Sequence, residues 1–259
     1  MLSIDRISKT FNPGTVNEHR VFRDFSLSID RGDFVSIIGS NGSGKTTLLN
    51  LICGSLPLDE GSISIAGKDI SDQRDHLRYV RMGRVFQDPQ AGTAPSMTLL
   101  ENLSMADNKG KSWNLSSGVN KDRMDYYRDL LRPLGLGLEN KLMDTVRHFS
   151  GGQRQAVALL MATMQPLDFL ILDEHTAALD PKTADTIMDL TDRIVKDKGL
   201  TALMVTHNLR YSLAYGNRIL MMHEGEVILD KADQEKEALQ LDDLLGKFYE
   251  ISIERGNSI

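Results

Sequence analysis

The 259-residue sequence has one cysteine, one tryptophan and seven prolines, and it contains no long hydrophobic run. A single cysteine, Cys53, allows no intramolecular disulfide, so nothing indicates an oxidising compartment. The strongest apolar runs, Phe34 to Ile38 and Phe169 to Leu172, are far shorter than the roughly 20 residues that cross a bilayer as a helix. The N-terminus also lacks the apolar segment of a secretory signal. We therefore expect a cytosolic protein that reaches a membrane only through a partner.

An excess of basic residues is also absent, because the formal net charge is −6. An acidic total disfavours broad contact with nucleic-acid phosphates, so we expect no nucleic-acid partner. With 41% hydrophobic and 25% charged residues, the composition is that of a folded globular protein. A chain of this length predicts one large domain or two closely associated lobes.

A glycine-rich segment follows the apolar strand predicted at Phe34 to Ile38 and precedes a predicted helix. The segment matches the phosphate-loop pattern G-x-x-x-x-G-K-[ST] in full. It comprises Gly39, Ser40, Asn41, Gly42, Ser43, Gly44, Lys45 and Thr46, with Thr47 next in the helix. Glycines let backbone N–H groups surround phosphates, Lys45 neutralises their charge, and the Thr46 hydroxyl can hold Mg²⁺. The strand before and the helix after favour this interpretation over a chance glycine-rich turn, and they predict ATP and Mg²⁺ as cofactors.

A second apolar strand, Phe169 to Leu172, ends in the carboxylates Asp173 and Glu174. The carboxyl ends of buried parallel strands meet at the edge of the sheet where ligands bind. Asp173 is therefore a candidate for holding Mg²⁺, and Glu174 for polarising the water that attacks the γ-phosphate. An ordinary acidic strand-to-loop pair is the alternative, and the phosphate loop favours the functional interpretation.

The segment Ser150-Gly151-Gly152-Gln153 resembles the signature loop of the ABC ATPases. Taken alone it reads as a helix N-cap turn, because serine accepts backbone N–H bonds and glycine permits the bend. Both interpretations are compatible, since a helix N-terminus is also an anion site. The resemblance implies that this loop binds the γ-phosphate of ATP held by the opposite subunit.

Three more segments occur in the order found in this family, and the resemblance extends from Leu2 to about Asp230. Gln87 resembles the glutamine that contacts Mg²⁺ and the attacking water, Asp180 lies in the loop that joins the two sites, and His207 resembles the switch histidine on the γ-phosphate. Alone, a glutamine or a strand-end histidine is more often a surface or satisfied polar group. Phe11 lies where the family places the aromatic ring that stacks on adenine; a core aromatic is the alternative.

The resemblance and the alternation of strands with helices predict an α/β fold. The expected architecture is a P-loop NTPase (RecA-like) core with an antiparallel β subdomain and an inserted helical signature subdomain. We expect residues 1–89 and 166–230 to form the core and β lobe, residues 90–165 the helical subdomain, and residues 231–259 a helical tail, all within one ABC ATPase domain.

The resemblance implies an ATP-hydrolysing subunit of a transporter that acts as a homodimer with two ATPs at its interface. It implies integral membrane permease subunits as direct partners, a solute-binding protein as an indirect one, and a place at the cytoplasmic face of the membrane. The lack of a membrane span or second cassette favours import. The phrase from Asp173 to Ala184, with Thr206 to Asn208, resembles a bacterial subgroup linked to tryptophan or tyrosine uptake.

Two residues depart from the family pattern. His175 occupies a position where the family usually has proline, and Ala178 one where it often has serine. Neither change removes a phosphate or Mg²⁺ ligand, so they bear on loop stiffness and on the coupling between sites.

The alternative function is that of a non-transport ABC ATPase, which acts as a scaffold or cofactor-assembly factor. A third class, a nucleotide-binding regulator without turnover, is disfavoured because Glu174 occupies the position of the base. The transported solute is not encoded in this chain, because its contacts lie in other chains.

Overall fold

The computed structural model describes residues 1–111 and 117–254. In chain order the strands are β1 (Leu2–Phe11), β2 (His19–Ile29), β3 (Phe34–Gly39), β4 (Glu60–Ile65), β5 (Lys68–Asp69), β6 (Met82–Val85), β7 (Phe169–Asp173), β8 (Ala202–Val205), β9 (Arg218–His223) and β10 (Glu226–Ala232). The α-helices are α1 (Lys45–Cys53), α2 (Asp75–Arg78), α3 (Leu99–Asp107), α4 (Met124–Leu131), α5 (Gly151–Thr163), α6 (Pro181–Lys198), α7 (Leu209–Ala214), α8 (Asp233–Glu237) and α9 (Leu241–Glu254). Short 3-10 turns cover Lys121–Arg123, Arg132–Leu134, Leu138–Asn140 and Val146–His148.

The chain folds as two compact units. The first unit contains residues 1–78 and 199–259, and the second contains residues 79–198. The second unit therefore includes the expected helical subdomain together with residues 79–89 and 166–198, which the sequence assigned to the core. The domain boundaries predicted from the sequence stay a prediction. Residues 112–116 of the expected helical subdomain and 255–259 of the expected tail lie outside the described residues.

An antiparallel sheet of order β2-β1-β4-β5 lies in the first unit, as the expected β subdomain requires. β1 pairs antiparallel with both β2 and β4. Leu2, Ile4 and Ile7 of β1 are buried while polar residues between them are exposed, because successive side chains of a strand point to opposite faces. The polar and apolar alternation at the start of the chain thus marks a sheet with one buried face.

The first unit also contains four strands in the order β10-β9-β3-β8. β3 lies between β8 and β9 and is parallel to both, whereas β10 is antiparallel to β9. Every residue of β3 is buried, as expected for a strand that is apolar except for Ser36. Positive φ angles at Glu224 (45°) and Gly225 (80°) form the tight turn of the hairpin between β9 and β10.

The C-terminal tail contributes to the core of the first unit. Leu244 of α9 is fully buried with Ile38, Ile219 and Met221, and Phe248 packs against the same cluster. The sequence predicts a single amphipathic helix here, but the structure has two, α8 and α9. The break falls before Leu241, where the side chain of Asp243 accepts a hydrogen bond from the backbone N–H of Gln240 at 2.8 Å and starts α9 anew.

The second unit joins two parallel strands to a group of helices. β6 and β7 pair in parallel, with Met82 opposite Phe169 and Val85 opposite Leu172. A capping box of Thr98 and Glu101 starts α3. At the far end of α3 the buried Asp107 carboxylate accepts from Tyr127 Oη at 2.8 Å, which ties α3 to α4. In the expected helical subdomain, α3 therefore begins with its own capping box and is joined to α4 by a side-chain hydrogen bond.

Candidate nucleotide-binding and hydrolysis site

The glycine-rich loop between β3 and α1 holds the amino group of Lys45. Lys45 Nζ donates to the carbonyl oxygen of Gly39 at 2.7 Å, to that of Ser40 at 2.9 Å and to Ser43 Oγ at 3.2 Å. The Lys45 residue is buried, so the loop holds a positive charge inside a ring of backbone groups. A phosphate that enters this loop meets a cation whose position is already fixed.

Two glycines of the loop have backbone conformations that disfavour any other residue. Gly39 has φ +151°, and a Cβ atom there would lie 2.2 Å from the carbonyl oxygen of Met222. Gly44, with φ 101°, is the N-cap of α1 and leaves the first turn without a side-chain cap. Because the first N–H groups of a helix lack acceptors within the helix, α1 offers donors to phosphate oxygens. Thr46 is exposed in this turn and presents its hydroxyl.

The predicted switch histidine follows a strand that pairs with β3. Ile37 of β3 lies opposite Val205 of β8, and the backbone N–H of Thr206 donates to the carbonyl oxygen of Ile37 at 3.2 Å. His207 is therefore attached to the same sheet edge from which the phosphate loop leaves β3. The His207 residue is exposed, and the next residue, Asn208, caps α7 by accepting from the N–H of Arg210 at 3.0 Å.

Phe11 is the last residue of β1 and is half-buried. Lys9 Nζ lies 5.9 Å from the centroid of its ring. Lys9 in turn is paired with Asp59, whose carboxylate accepts from Lys9 Nζ at 2.7 Å. A ring that is neither enclosed in the core nor fully exposed leaves a face for stacking, so its burial fits both an adenine contact and partial core packing.

In the second unit, the acidic end of β7 is paired with a cation on β6. Arg84 donates to the Asp173 carboxylate at 2.6 Å, and the side chains are only 8% and 16% exposed. Arg84 also lies over the ring of Phe86, 4.8 Å from its centroid. Gln87 is exposed and lies two residues after the end of β6, and Asp173 is the last residue of β7. Both residues therefore lie at the carboxyl ends of adjacent parallel strands.

Glu174 begins a tight turn that leads from β7 into α6. Its φ of +46° is uncommon for a residue with a side chain, and its carbonyl oxygen accepts from the N–H of Ala177 at 2.9 Å. His175 is buried, and burial lowers its pKa to about 4, so the imidazole is neutral at pH 7. At the end of the turn, hydrogen bonds from Thr183 lower the pKa of the Asp180 carboxyl, which accepts from the Thr183 N–H at 3.1 Å.

The predicted signature loop forms the start of α5. Ser150 is its exposed N-cap and shares a capping box with Gln153: Ser150 Oγ accepts from the Gln153 N–H, and Gln153 Oε1 accepts from the Ser150 N–H, both at 3.2 Å. Gln153 Nε2 also donates to the carbonyl oxygen of Leu136 at 3.1 Å. A Cβ at Gly152 would lie 2.3 Å from Thr183 Cγ2, so α6 leaves no room for a side chain there.

The site residues thus fall into two groups. The first unit carries Phe11, the loop from Gly39 to Thr47 and His207, whereas the second carries Gln87, the loop from Ser150 to Gln153, Asp173, Glu174 and Asp180. Sequence reasoning did not single out Arg84 as a partner of Asp173 or Thr191 as a partner of His175. The only signal for the first pair was a charged residue inside an otherwise apolar β6, and no local pattern indicated the second.

The donors present fit a nucleoside triphosphate with Mg²⁺. A buried lysine, an uncapped helix start and a threonine hydroxyl suit phosphate oxygens and a metal that they share. Among the described residues no group of three or more His, Cys, Asp and Glu residues converges as a metal cage. Mg²⁺ is commonly bound by one or two carboxylates, phosphate oxygens and water, so the threonine hydroxyl of the phosphate loop is the kind of single donor that such a site needs. The fold and the site define a phosphate-loop nucleotide-binding protein.

Comparison with known proteins makes this class specific. The family model described as ABC transporter matches residues 22–177, more than half of the chain. A tyrosine transport ATP-binding protein of Clostridioides difficile (strain R20291) is 46% identical over 248 residues, covering 96% of this chain and 98% of that protein. A phosphonates import ATP-binding protein, PhnC 2, of Oceanobacillus iheyensis is 30% identical over 237 residues, covering 89% of each.

A solved structure shows the same fold. The dimeric structure of the ATP-binding cassette MJ0796 in a post-hydrolysis state, bound to ADP and Pi, matches with a TM-score of 0.75 at 30% identity. The match covers 90% of this chain and 98% of that chain. The chain therefore belongs to the ATP-binding family of ABC transporters, and it is an ATPase. No helix of the described residues has the length and apolar character needed to span a membrane.

Proposed function

We propose that this ATPase works as a head-to-tail dimer in which the Lys45 loop of one copy holds ATP and the Ser150 loop of the other copy covers it. The observation that carries the proposal is the geometry of Ser150, an exposed N-cap at the start of a 13-residue helix. Such a helix start is suited to the γ-phosphate. The relative that was solved as a dimer bound to ADP and Pi supports a dimeric ATPase.

Within this site each residue has a distinct proposed role. Thr46 and Asp173 hold Mg²⁺, Gln87 contacts the metal and the attacking water, and His207 contacts the γ-phosphate. Glu174 is the base that polarises water, since a carboxylate is the group that accepts a proton during attack. Asp180 belongs to the loop that joins the two sites, and Phe11 stacks on adenine.

The dimer proposal is tested by trapping. Glu174→Gln keeps the size of the side chain but removes its charge, so ATP should bind, remain uncleaved and hold two copies together. Ser150→Arg added to Glu174→Gln places a bulky cation in the shared site and should abolish the trapped dimer. Light scattering with Mg-ATP provides the measurement. A Glu174→Gln protein that stays monomeric at saturating ATP, or a double variant that still dimerises, contradicts the proposal.

We infer that the membrane partner docks on an apolar groove of the second unit, so that the chain acts at the cytoplasmic face of the membrane. The groove has a volume of about 370 Å³. Its lining includes Tyr79, Met82, Phe86, Met105, Ala158 and Met161. Arg84, whose charge is paired with Asp173, and Lys109, whose pKa is lowered by burial, also line it. An apolar groove with a few polar groups at its wall suits an amphipathic helix of a permease.

A pair of methionines tests this docking surface. Met105 lines the groove and is 44% exposed, whereas Met143 is 64% exposed and does not line it. Met105→Glu should uncouple transport while leaving basal ATP hydrolysis unchanged, and Met143→Glu should leave both unchanged. Transport and hydrolysis measured with the permease in vesicles provide the readout.

We propose that the transporter imports an aromatic amino acid. The tyrosine transport relative is 46% identical over nearly the full length of both chains, and a second relative is named for import. Both names favour transport over the scaffold alternative. The test is ATP-dependent uptake of labelled tyrosine and tryptophan by the complete transporter, with its permease and solute-binding protein, against labelled phosphonate as the control. Uptake of phosphonate alone would contradict the proposal that the solute is an aromatic amino acid. Outward movement of tyrosine or tryptophan would contradict the proposal that the transporter is an importer.

A further inference from the structure

The residue after the proposed base is fixed to a distant part of α6. His175 is 2% exposed, and its ring Nε2 lies 3.1 Å from Thr191 Oγ1. Thr191 is itself fully buried and lies 16 positions further along the chain, in the third turn of α6. The contact therefore anchors the start of the turn to the middle of a long helix.

The direction of this hydrogen bond follows from the chemistry of the hydroxyl. Thr191 Oγ1 lies 2.7 Å from the carbonyl oxygen of Ile187, which only accepts, so the single hydroxyl proton points there. The oxygen of Thr191 can then only accept from His175, and His175 must carry its proton on Nε2. A chain of two directed bonds, from His175 to Thr191 and from Thr191 to Ile187, joins the turn to the backbone of α6.

The turn that His175 anchors needs such support. Glu174 adopts a left-handed φ of +46°, a conformation that costs free energy for a residue with a side chain. Strained conformations of this kind persist when the surrounding structure determines them, and they cluster at functional sites. The next residue sets how the chain leaves Glu174. A fixed His175 therefore fixes the backbone from which the Glu174 carboxylate projects.

The same turn also contacts the signature loop. The carbonyl oxygen of Thr176 accepts from the N–H of Leu179 at 3.2 Å, which closes the second half of the turn. Leu179 Cδ2 lies 3.2 Å from the place where Gly151 would carry a Cβ. A displaced turn would therefore move the contact surface of the signature helix as well as Glu174.

We propose that His175 is a positioning residue for ATP hydrolysis, whose hydrogen bond to Thr191 holds Glu174 in the orientation that activates water. The inference rests on the proposed role of Glu174 as the base. Proline, usual at this position in the family, restricts the backbone through its own ring. Here a buried side-chain anchor supplies the restriction instead.

The test separates turnover from binding. His175→Leu fills similar space without a donor, and Thr191→Val removes the hydroxyl while keeping its shape. Each should lower kcat by roughly tenfold to a hundredfold, the scale of a misplaced catalytic group, while the KM and Kd for ATP change less than about twofold. His175→Gln, whose amide can donate to Thr191, should recover most of kcat. The double variant His175→Leu/Thr191→Val should be no slower than the slower single variant.

A matched control shows whether any buried threonine has this effect. Thr163 is 1% exposed, and its hydroxyl donates to the carbonyl oxygen of Leu159 at 2.8 Å in α5, as Thr191 donates in α6. Thr163→Val should lower the melting temperature as much as Thr191→Val does but leave kcat unchanged. Thermal unfolding and nucleotide binding of every variant establish that the proteins compared are folded.

Two results for these variants overturn the positioning role alone. One is an unchanged kcat in both His175→Leu and Thr191→Val; the other is a His175→Gln protein as slow as His175→Leu. Glu174→Gln, assayed alongside, separates this inference from the function on which it rests. If Glu174→Gln abolishes hydrolysis while His175→Leu leaves kcat unchanged, only the positioning role fails. If Glu174→Gln still hydrolyses ATP at the full rate, the proposed base itself is wrong, and the positioning role is overturned with it.

Discussion

The two compact units hold their functional groups in different ways. In the first, the amino group of Lys45 is held by acceptors two, five and six positions away in the chain. In the second, Asp173 pairs with Arg84, 89 positions earlier, and His175 bonds Thr191, 16 positions later. The Lys45 amino group is thus fixed by residues close to it in the chain, whereas Asp173 and His175 are fixed by contacts between separate elements. Variants of the first should therefore lose ligand binding directly, and variants of the second should misplace groups that remain present.

Lys45→Ala should have the largest effect, because it removes the charge around which the loop is organised. Its amino group donates to at least three acceptors, and a phosphate would add charged ones. We expect ATP affinity and turnover both to fall, turnover by roughly a hundredfold or more. Equilibrium binding of a fluorescent ATP analogue and a phosphate-release assay measure the two quantities. Unchanged hydrolysis would show that the glycine-rich loop does not bind the phosphates of ATP.

Gly152→Ala tests the crowding between the signature helix and α6. The added Cβ would approach Thr183 Cγ2 to 2.3 Å, so the two helices must separate or Thr183 must move, at a cost of about 1 to 3 kcal/mol. Hydrolysis should fall together with the free energy of unfolding, measured by denaturant titration. Thr183→Ser removes the clashing methyl group and should restore both in the double variant. Gly151→Ala, whose Cβ would lie 3.2 Å from Leu179 Cδ2, should cost less. Equal losses at both glycines would contradict this packing argument.

Arg84→Met and Arg81→Met form a matched pair between the same two segments. Arg84 meets Asp173 where the side chains are 8% and 16% exposed, whereas Arg81 meets Asp168 with its own side chain 65% exposed. The two carboxylates are equally exposed, at 16%, so the pairs differ in the burial of the arginine. Because water screens the Arg84 pair less, removing Arg84 should cost about 2 kcal/mol, whereas removing the exposed Arg81 should cost less than about 1 kcal/mol. Thermal unfolding without nucleotide measures both.

The Arg84 variant also tests whether Asp173 faces the metal. If Asp173 helps to hold Mg²⁺, the freed carboxylate should bind it more readily, so Mg-ATP should raise the melting temperature of Arg84→Met more than that of the wild type. The increase caused by Mg-ATP should be unaltered in Arg81→Met. The same increase in all three proteins would show that Asp173 is remote from the metal.

The difference between local and long-range contacts also explains which features the sequence could predict. The strand, loop and helix around Lys45 and the capping box of Ser150 are local patterns, because the groups that bond one another lie within six positions. The fold class and the order of motifs were accessible for the same reason. The pairing of Arg84 with Asp173 requires knowledge that β6 and β7 are neighbours, which no local pattern provides. The tail was predicted as one helix because the amphipathic periodicity of the sequence does not indicate that a helix ends and a new one starts before Leu241.

Phe11 lies between the features that the sequence could predict and those that it could not. The family resemblance suggested that it stacks on adenine, but its half-buried ring also fits a place in the core. Phe11→Leu keeps apolar bulk but removes the ring face. Stacking of about 0.5 to 1.5 kcal/mol predicts an ATP affinity roughly two- to tenfold weaker. Inorganic tripolyphosphate has no base to stack, so its binding to the phosphate loop should be the same in the variant and the wild type. Weaker binding of ATP alone would assign the ring to the base. A lowered melting temperature with both affinities unchanged would assign it to the core of the β1 sheet, and the adenine contact would then have to come from another residue.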